Sequence, residues 1–256
     1  MSPTIALDPR YVLWSAPESE RADRPLIVLM HGWSYDERHL FGFAHLFPRE
    51  LVVASVRAPY AEAGGYAWFP SRGNAIGDPQ PTVANNATDA VLDWLNTLHS
   101  ASSIGLLGFS QGGAMVLQLL RRAPERFGYG VQLAGFVVDD SQPGDQVLAH
   151  QRPPVFWGRG ELDPVIPRQA IARTQAWMAA HTSPENVVYQ GLGHDVGGPE
   201  VTDFVMFIAR QLRHEDALAK GDRNALAADQ STTPRRRQAP TKINKSLPND
   251  HRERPE

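Results

Sequence analysis

One stretch, residues 104–120, constrains the fold of this chain more than any other. It begins as a short apolar run, passes through Gly108-Phe-Ser110-Gln-Gly112, and continues with apolar residues at helical spacing. Ala114, Leu117 and Leu120 recur three residues apart, which predicts a helix that packs on a sheet. A strand, a sharp turn and a helix around the pattern G-x-S-x-G are typical of a turn that presents a nucleophilic serine.

The two glycines of this turn have a physical role. Side chains at positions 108 and 112 would collide with neighbouring backbone, since the serine sits on a strained turn. The turn holds the Ser110 hydroxyl clear of the sheet and places the Gln111 backbone N–H at a helix N-terminus, where it can stabilise an oxyanion. An ordinary serine in a glycine-rich turn is the alternative, and the strand before and the helix after favour the nucleophile.

Length and composition limit the classes of protein to consider. A chain of 256 residues fits one α/β domain with residues to spare, and we assign it to residues 26–213. Residues 1–25 form an N-terminal segment with a candidate edge strand at 11–14. No apolar run approaches the ~20 residues that cross a bilayer, so we expect no integral membrane association. The first ten residues lack the pattern of a signal peptide, and a cytoplasmic location is expected.

Cysteine and charge exclude further classes. The chain has no cysteine, which excludes disulfides, thiolate-metal sites and a cysteine nucleophile. The formal net charge of −3 is uneven, because residues 231–256 carry seven Lys/Arg and three Asp/Glu and leave about −7 on the rest. The body therefore offers no basic surface for nucleic acid. Residues 214–256 are predicted to be a polar, disordered tail, basic at its end.

Apolar patterning predicts an alternation of strands and helices. Further buried strands are expected at residues 25–30, 51–56, 131–138, 154–157 and 186–190, and helices at 37–47, 83–99, 168–180 and 199–213. Only residues 139–152 separate two of the strands, too short an interval for a helical lid. The sequence thus predicts an α/β fold with a mostly parallel central sheet flanked by helices and no lid domain.

Three polar residues follow successive predicted strands: Ser110, Asp163 and His194. Parallel strands bring their carboxyl ends to one edge of a sheet, so these distant residues can meet there. In the order Ser…Asp…His, Ser110 would attack an acyl carbon, His194 would act as base and then acid, and Asp163 would orient the imidazole.

Other carboxylates compete with Asp163 for this role. Asp139 and Asp140 end the preceding predicted strand, Asp195 is interpreted as a helix cap, and Glu161 as a solvated side chain. The proline-bounded turn at 163–167 favours Asp163. The remaining histidines have no paired metal-ligand spacing, and no metal site is predicted.

Two loops contribute candidate cleft residues. His31-Gly32-Trp33 follows the first core strand, and the Trp33 backbone N–H is the candidate second oxyanion donor. His31 is interpreted as a loop histidine bonded to local backbone. The long loop at 57–81 carries Tyr66, Trp68 and Phe69, which either form an apolar wall for an acyl group or anchor the loop to the core.

Several motifs in one order make the chain similar to a known family. They are Leu-Met-His-Gly at 29–32, Ala-Pro at 58–59, Gly-Gly-Tyr-Ala-Trp-Phe at 64–69, Gly-Phe-Ser-Gln-Gly-Gly-Ala at 108–114, Leu-Ala-Gly at 133–135, Gly-Glu-Leu-Asp-Pro-Val-Ile-Pro at 160–167 and Gly-His at 193–194. From about residue 26 to residue 212 the chain resembles the carboxylesterase/phospholipase-type α/β-hydrolases, which include acyl-protein thioesterases.

The resemblance implies an α/β-hydrolase fold and hydrolysis of carboxylic esters or thioesters without a cofactor. It maps the catalytic triad onto Ser110, Asp163 and His194, and the oxyanion donors onto the N–H groups of Trp33 and Gln111. Two departures border the cleft. The family commonly has His-Gly where this chain has Arg159-Gly160, and Leu-Gly-Asp where it has Trp33-Ser34-Tyr35.

The leading hypothesis is a serine hydrolase that cleaves small-molecule or acyl-chain carboxylic esters through an acyl-serine intermediate. An acyl-protein thioesterase, or a peptidase or lactonase on the same fold, is the alternative. A non-catalytic binding protein is the rival from another class. No nucleic-acid partner and no oligomeric state are predicted.

Overall fold

A seven-stranded sheet lies at the centre of the molecule. The computed structural model describes residues 5–98 and 101–221. In this part of the chain the strands are β1 (Leu13–Trp14), β2 (Leu26–Met30), β3 (Val52–Val56), β4 (Tyr60–Glu62), β5 (Gly65–Ala67), β6 (Ile104–Phe109), β7 (Tyr129–Leu133), β8 (Pro154–Gly160) and β9 (Ser183–Tyr189). The sheet order is β1-β3-β2-β6-β7-β8-β9, and every neighbouring pair is parallel except β1 with β3.

Helices cover both faces of this sheet. They are α1 (Arg38–Phe41), α2 (Pro81–Asn96), α3 (Gln111–Arg122), α4 (Asp145–Gln151), α5 (Arg168–His181) and α6 (Gly198–Lys220). Leu26, Val28 and Met30 of β2 pack with the apolar residues of α2, α3 and α5, whereas Ile27 and Leu29 pack with those of α1 and α6. Successive strand residues point to opposite faces, so a strand covered on both sides must be apolar throughout.

The loop predicted at 57–81 contains a β-hairpin that the apolar pattern did not indicate. β4 and β5 pair antiparallel through a turn at Ala63 and Gly64, with φ angles of 52° and 82°. Positive φ at both central residues is what a two-residue hairpin turn requires. Each strand has only three residues, too few to produce a recognisable alternation.

Two predicted elements are shorter than the pattern suggested. The helix expected at 37–47 consists of α1 and a separate 3₁₀ turn, Ala44–Leu46, with Gly42 capping α1. β7 ends at Leu133 instead of residue 138, because Ala134 adopts a φ of 46° and donates its N–H to Gly158 O at 2.8 Å. Leu40 and Phe47 of the first segment, and the apolar residues at 134–138 of the second, are buried all the same.

The two ends of the described chain pack on the sheet and on its helices. β1 pairs antiparallel with β3 at the edge of the sheet. The prediction that the closing helix ends at residue 213 is wrong, because α6 continues to Lys220. Its last turns contact the body: Glu215 accepts a 2.6 Å hydrogen bond from the Ser103 hydroxyl, and Ala217 is buried. Residues 222–256, the greater part of the predicted tail, lie outside the described residues.

The interval between β7 and β8 carries α4 and no inserted lid. α4 packs against α3 and α5, with Leu148 fully buried and Asp145 paired with Arg121 of α3. The carboxyl edge of the sheet is thus formed by connecting loops. Over residues 5–98 and 101–221, no helix has both the length and the apolar character needed to cross a bilayer.

Candidate active site

Ser110 stands on the turn between β6 and α3. Its φ and ψ of 55° and −115° lie in a strained region of backbone conformation, and its N–H donates to Leu133 O at 2.8 Å. A Cβ at position 108 would lie 2.0 Å from Gly112 O, and one at position 112 would lie 1.9 Å from Met30 O. Both positions therefore require glycine, because backbone fills the space that a side chain would need.

His194 lies in the loop after β9 and contacts Ser110 directly. Its Nε2 is 2.9 Å from Ser110 Oγ, and its Nδ1 is 2.8 Å from Asp163 Oδ2. With the proton of the neutral ring on Nδ1, His194 donates a hydrogen bond to the carboxylate and accepts one from the hydroxyl of Ser110. The three side chains thus form one continuous line of hydrogen bonds from carboxylate to hydroxyl.

Asp163 follows β8 in a tight turn that holds its carboxylate in place. The side chain is 3% exposed, and Oδ1 accepts hydrogen bonds from the N–H groups of Val165 at 2.8 Å and Ile166 at 3.2 Å. Burial by itself raises the pKa of Asp163, but the hydrogen bonds from His194 and Val165 outweigh it and lower the pKa below the ordinary value. The group is therefore ionised at neutral pH.

The carboxylates that the sequence left as competitors have other partners or are exposed. Asp139 is 67% exposed and lies 3.7 Å from Arg173, and Asp140 accepts a hydrogen bond from Gln142. Asp195 accepts from Val196 N–H at 2.8 Å, so its interpretation as a helix cap is wrong, because Gly197 is the N-cap of α6. Glu161 is exposed. Of all these groups, Asp163 is the one bonded to His194.

The backbone N–H groups of the two candidate oxyanion donors, Gln111 and Trp33, make no hydrogen bond within residues 5–98 and 101–221. Gln111 is the first residue of α3, where helix geometry leaves the N–H unpaired. Trp33 belongs to the turn between β2 and α1. Free donors of this kind can bind a developing negative charge.

His31 is held as a structural residue, in agreement with its interpretation as a loop histidine. Its side chain is fully buried, Nε2 accepts from Ala58 N–H at 3.1 Å, and Nδ1 lies 2.7 Å from Gly32 O. The acceptor role of Nε2 places the proton on Nδ1. Burial lowers the pKa of His31, so the ring is neutral and bonded to local backbone.

The aromatic residues of the 57–81 loop anchor that loop. Trp68 is 0% exposed and its indole N–H donates to His31 O at 2.8 Å, while Phe69 is 3% exposed and packs with Phe136. Tyr66 is half-buried, and its hydroxyl accepts from Arg57 at 3.0 Å. The full burial of Trp68 favours its role as an anchor of the loop, and its contact with an acyl group stays a prediction. Contact of Tyr66 or Phe69 with an acyl group stays a prediction.

Two features beside Ser110 were not found from the sequence. The ring of Phe109 packs 5.0 Å from that of His194, and the stacked pair Tyr35–His39, 3.9 Å apart, packs against Phe109. The other feature is the Gln111 side chain, which bonds to residues 68 and 69. For the aromatic cluster the sequence signal is the four-residue spacing of positions 35 and 39, and for the Gln111 bonds there is none.

The carboxylates and histidines of the site do not form a metal site. Within residues 5–98 and 101–221, no three His, Asp or Glu side chains are arranged to hold a metal ion. The arrangement instead brings together a serine hydroxyl, a histidine and a buried carboxylate in one line of hydrogen bonds.

Comparison with known proteins places this geometry in a family. A sequence profile described as phospholipase/carboxylesterase matches residues 16–212. The acyl-protein thioesterase 1 of Saccharomyces cerevisiae is 26% identical over 220 residues, which cover 74% of this chain and 93% of that protein. That of Kluyveromyces lactis is 30% identical over 119 residues, 44% of this chain and 52% of the relative, so the match spans about half of the latter.

Solved structures show the same fold. A Bacillus cereus carboxylesterase superposes with a TM-score of 0.67 at 18% identity, covering 78% of this chain and 93% of that one. Esterase PE8 superposes with a TM-score of 0.62 at 22% identity, covering 81% and 99%. The fold is that of the α/β-hydrolases, as the resemblance implied. Since the matching profile spans most of the sequence, the chain belongs to the phospholipase/carboxylesterase family of esterase- and thioesterase-type α/β-hydrolases.

Proposed function

We propose that this protein hydrolyses carboxylic esters through an acyl intermediate on Ser110. The observation that carries the proposal is the line of hydrogen bonds from Asp163 through His194 to Ser110, at 2.8 Å and 2.9 Å. A serine is a weak nucleophile unless a base removes its proton, and a base works best when a third group orients it. Membership of a family described by ester hydrolysis supports the same conclusion.

Acylation uses His194 twice. As Ser110 Oγ bonds to the ester carbonyl carbon, His194 Nε2 takes the hydroxyl proton, and Asp163 stabilises the resulting imidazolium. The carbonyl oxygen becomes negative and is bound by the N–H groups of Gln111 and Trp33. The bond from the carbonyl carbon to the alcohol oxygen then breaks, and His194 returns the proton to the departing alcohol.

Deacylation repeats these steps with water in place of Ser110. His194 removes a proton from water as the water oxygen attacks the acyl carbon, and the same two N–H groups bind the oxyanion. The bond to Ser110 Oγ breaks, Oγ regains a proton from His194, and the carboxylic acid leaves. The proton that Ser110 loses leaves with the alcohol and is replaced by one from water, so the two steps balance as ester plus water giving alcohol plus acid, with no cofactor.

Thioesters are a second candidate substrate class. Two curated relatives are named acyl-protein thioesterases, and a thioester undergoes the same attack with a better leaving group. Peptidase or lactonase activity on the same fold is a weaker alternative, and a non-catalytic binding protein the weakest. A cytoplasmic location and the absence of a nucleic-acid partner stay predictions.

Hydrolysis of p-nitrophenyl esters of increasing acyl length tests the proposal. We expect turnover by the wild type, and a fall in kcat of at least about 10³-fold for Ser110→Ala and for His194→Ala. His45→Ala is the matched control, because His45 is exposed and, among the described residues, its ring bonds to Gly42 O alone. Labelling by a fluorophosphonate should be lost in Ser110→Ala and in His194→Ala and retained in His45→Ala, because the reagent needs a serine that a base has activated.

Two results would contradict the proposal. Activity near the wild-type level in Ser110→Ala would exclude this serine as the nucleophile. A wild type that cleaves neither oxygen esters nor thioesters and resists the fluorophosphonate would instead favour the binding-protein hypothesis.

A further inference from the structure

A short segment, residues 66–69, contacts both loops that carry the candidate oxyanion donors. We call it the bridging segment. It begins within β5 and ends two residues beyond it. One of its ends bonds to the turn that carries Trp33, and the other bonds to the Gln111 side chain. The two donors belong to different loops, so their separation depends on what joins those loops.

The Gln111 side chain holds the far end of the bridging segment at two points. Its Oε1 accepts from Trp68 N–H at 3.0 Å, and its Nε2 donates to Phe69 O at 2.9 Å. The amide group of Gln111 thus accepts from one residue and donates to the next residue along the chain. A charged or apolar side chain of the same length could not make both bonds.

The other end of the bridging segment forms hydrogen bonds with residues before and after Trp33. After Trp33, Ser34 donates its N–H to Tyr66 O at 3.0 Å, and Tyr66 donates its N–H to Tyr35 O at 2.8 Å. Before Trp33, His31 O accepts the indole N–H of Trp68 at 2.8 Å. The Trp33 N–H is therefore fixed from three points, and all three lie on the segment that Gln111 holds.

We infer that the side chain of Gln111 is a positioning residue that sets the separation of the two oxyanion donors. Its backbone N–H is one donor, and its side chain fixes, through the bridging segment, the loop that supplies the other. This inference rests on the proposed function. It assigns the side chain a role separate from that of the backbone N–H, which every substitution at position 111 except proline retains.

The role predicts a specific loss in the chemical step. Donors that bind charge in the transition state contribute to kcat more than to KM, and a shift of about 1 Å in such a group can cost about 10²-fold. We expect Gln111→Met to lower kcat for a p-nitrophenyl ester by about 10- to 100-fold, with KM within about threefold of the wild-type value.

Gln118→Met is the matched control. Gln118 lies on the same helix, is fully buried and makes two side-chain hydrogen bonds, to Asn85 at 2.7 Å and Arg121 at 3.1 Å, away from the bridging segment. A general loss of packing or of buried hydrogen bonds in α3 would affect both variants. We expect kcat of Gln118→Met within about twofold of wild type at a temperature where both variants are folded.

Gln111→Glu tests the same contacts by pH and does not depend on Gln111→Met folding. A protonated carboxyl can accept from Trp68 N–H and donate to Phe69 O, whereas a carboxylate would repel that carbonyl. We expect the ratio of its kcat to that of wild type to rise as the pH falls from about 8 to about 5. Dividing by the wild-type rate removes the pH dependence that the two enzymes share.

Each result decides between the possibilities. A Gln111→Met kcat within twofold of wild type, equal losses in Gln111→Met and Gln118→Met, or a Gln111→Glu ratio independent of pH would overturn the inference while leaving the proposed function intact. Absence of turnover in the wild type would overturn the proposed function and, with it, this inference.

Discussion

Glu200 is a carboxyl group held away from water at the start of α6, six residues after His194. Its side chain is fully buried, and Oε2 accepts only a long hydrogen bond, 3.3 Å, from Gly197 N–H. The other oxygen has no partner within residues 5–98 and 101–221 and lies against Gly158 of β8. Burial, together with the charges of Asp195 and Asp203, raises the pKa of Glu200 to about 8.

This shift predicts a loss of stability as the pH rises. In the unfolded chain the carboxyl ionises near pH 4.5, whereas in the folded protein it keeps its proton to about pH 8. Between these values the unfolded state releases a proton that the folded state retains, so the free energy of unfolding falls with pH. Each pKa unit is worth about 1.4 kcal/mol, and the loss should reach a few kcal/mol.

Glu200→Gln is expected to remove this loss, because glutamine stays neutral in both states. Urea denaturation at pH 5 and pH 8.5 measures it: the stability of the variant relative to wild type should increase by a few kcal/mol between the two. Glu161→Gln, at an exposed position, controls for the removal of a glutamate. A stability difference that is the same at both pH values would show that Glu200 is ionised in the folded protein.

Individual site residues could be predicted from the sequence where a local pattern marks them. Ser110 lies in a five-residue motif, and Asp163 and His194 each follow an apolar run, so topology alone could bring them together. The bond from Gln111 to Trp68 spans 43 positions, and nothing around either residue indicates it. Burial of Trp68 likewise depends on how the 57–81 loop folds over the sheet.

Among the helices, α3 is joined to α4 and to the segment after β7 by a buried arginine. Arg121 is 0% exposed and pairs with Asp145 at 2.8 Å. The same guanidinium donates to Val138 O at 3.1 Å, to Asp140 O and to Gln118 at 3.1 Å. One side chain therefore satisfies the backbone of a segment that lacks regular structure.

Arg121→Met should destabilise the protein by about 3 kcal/mol, because it leaves a carboxylate and two carbonyls without their donor. Arg122→Met is the control. That neighbouring arginine pairs with Asp89 at the surface, where an ion pair contributes less than about 1 kcal/mol. Both values come from the midpoint and slope of urea unfolding curves. An equal decrease in the free energy of unfolding of the two variants would mean that the buried network stabilises the protein no more than a surface ion pair does.

Helices and strands could be predicted from the sequence when they were long enough to show a clear apolar pattern. β2 and β3 consist almost entirely of apolar residues and were predicted to within one residue. The hairpin β4–β5 was missed because its strands are short and its turn depends on Ala63 adopting a positive φ. The last turns of α6 were missed because a polar residue, Glu215, packs through one hydrogen bond to Ser103.

For the whole molecule, the described body contains all the residues of the site. The family profile ends at residue 212, His194 is the last residue of the candidate triad, and Gly221 ends α6 with a φ of 67°. We expect a chain that ends at Gly221 to keep kcat/KM within about twofold and Tm within about 2 °C of the full chain. Loss of turnover in this truncation would assign residues 222–256 a part in the reaction.

A chain that ends at residue 213 is the informative comparison. It lacks the hydrogen bond from Ser103 to Glu215 and the buried Ala217, so its Tm should be lower by several degrees. Thermal unfolding of the two truncations side by side measures this. Equal Tm values would mean that the last turns of α6 add no stability.

The sheet order has a consequence for the protein while it is being made. Ser110 precedes His194, its proposed base, by 84 positions, and β8 and β9 are the last two strands of the sheet to be synthesised. The ribosome therefore adds Ser110 before His194, and a serine hydroxyl without a base is only a weak nucleophile. On the proposed mechanism, high reactivity toward acyl groups arises only when β9 joins the sheet and brings His194 to Ser110, so a half-made chain attacks the acyl groups of the cell far more slowly than the finished protein.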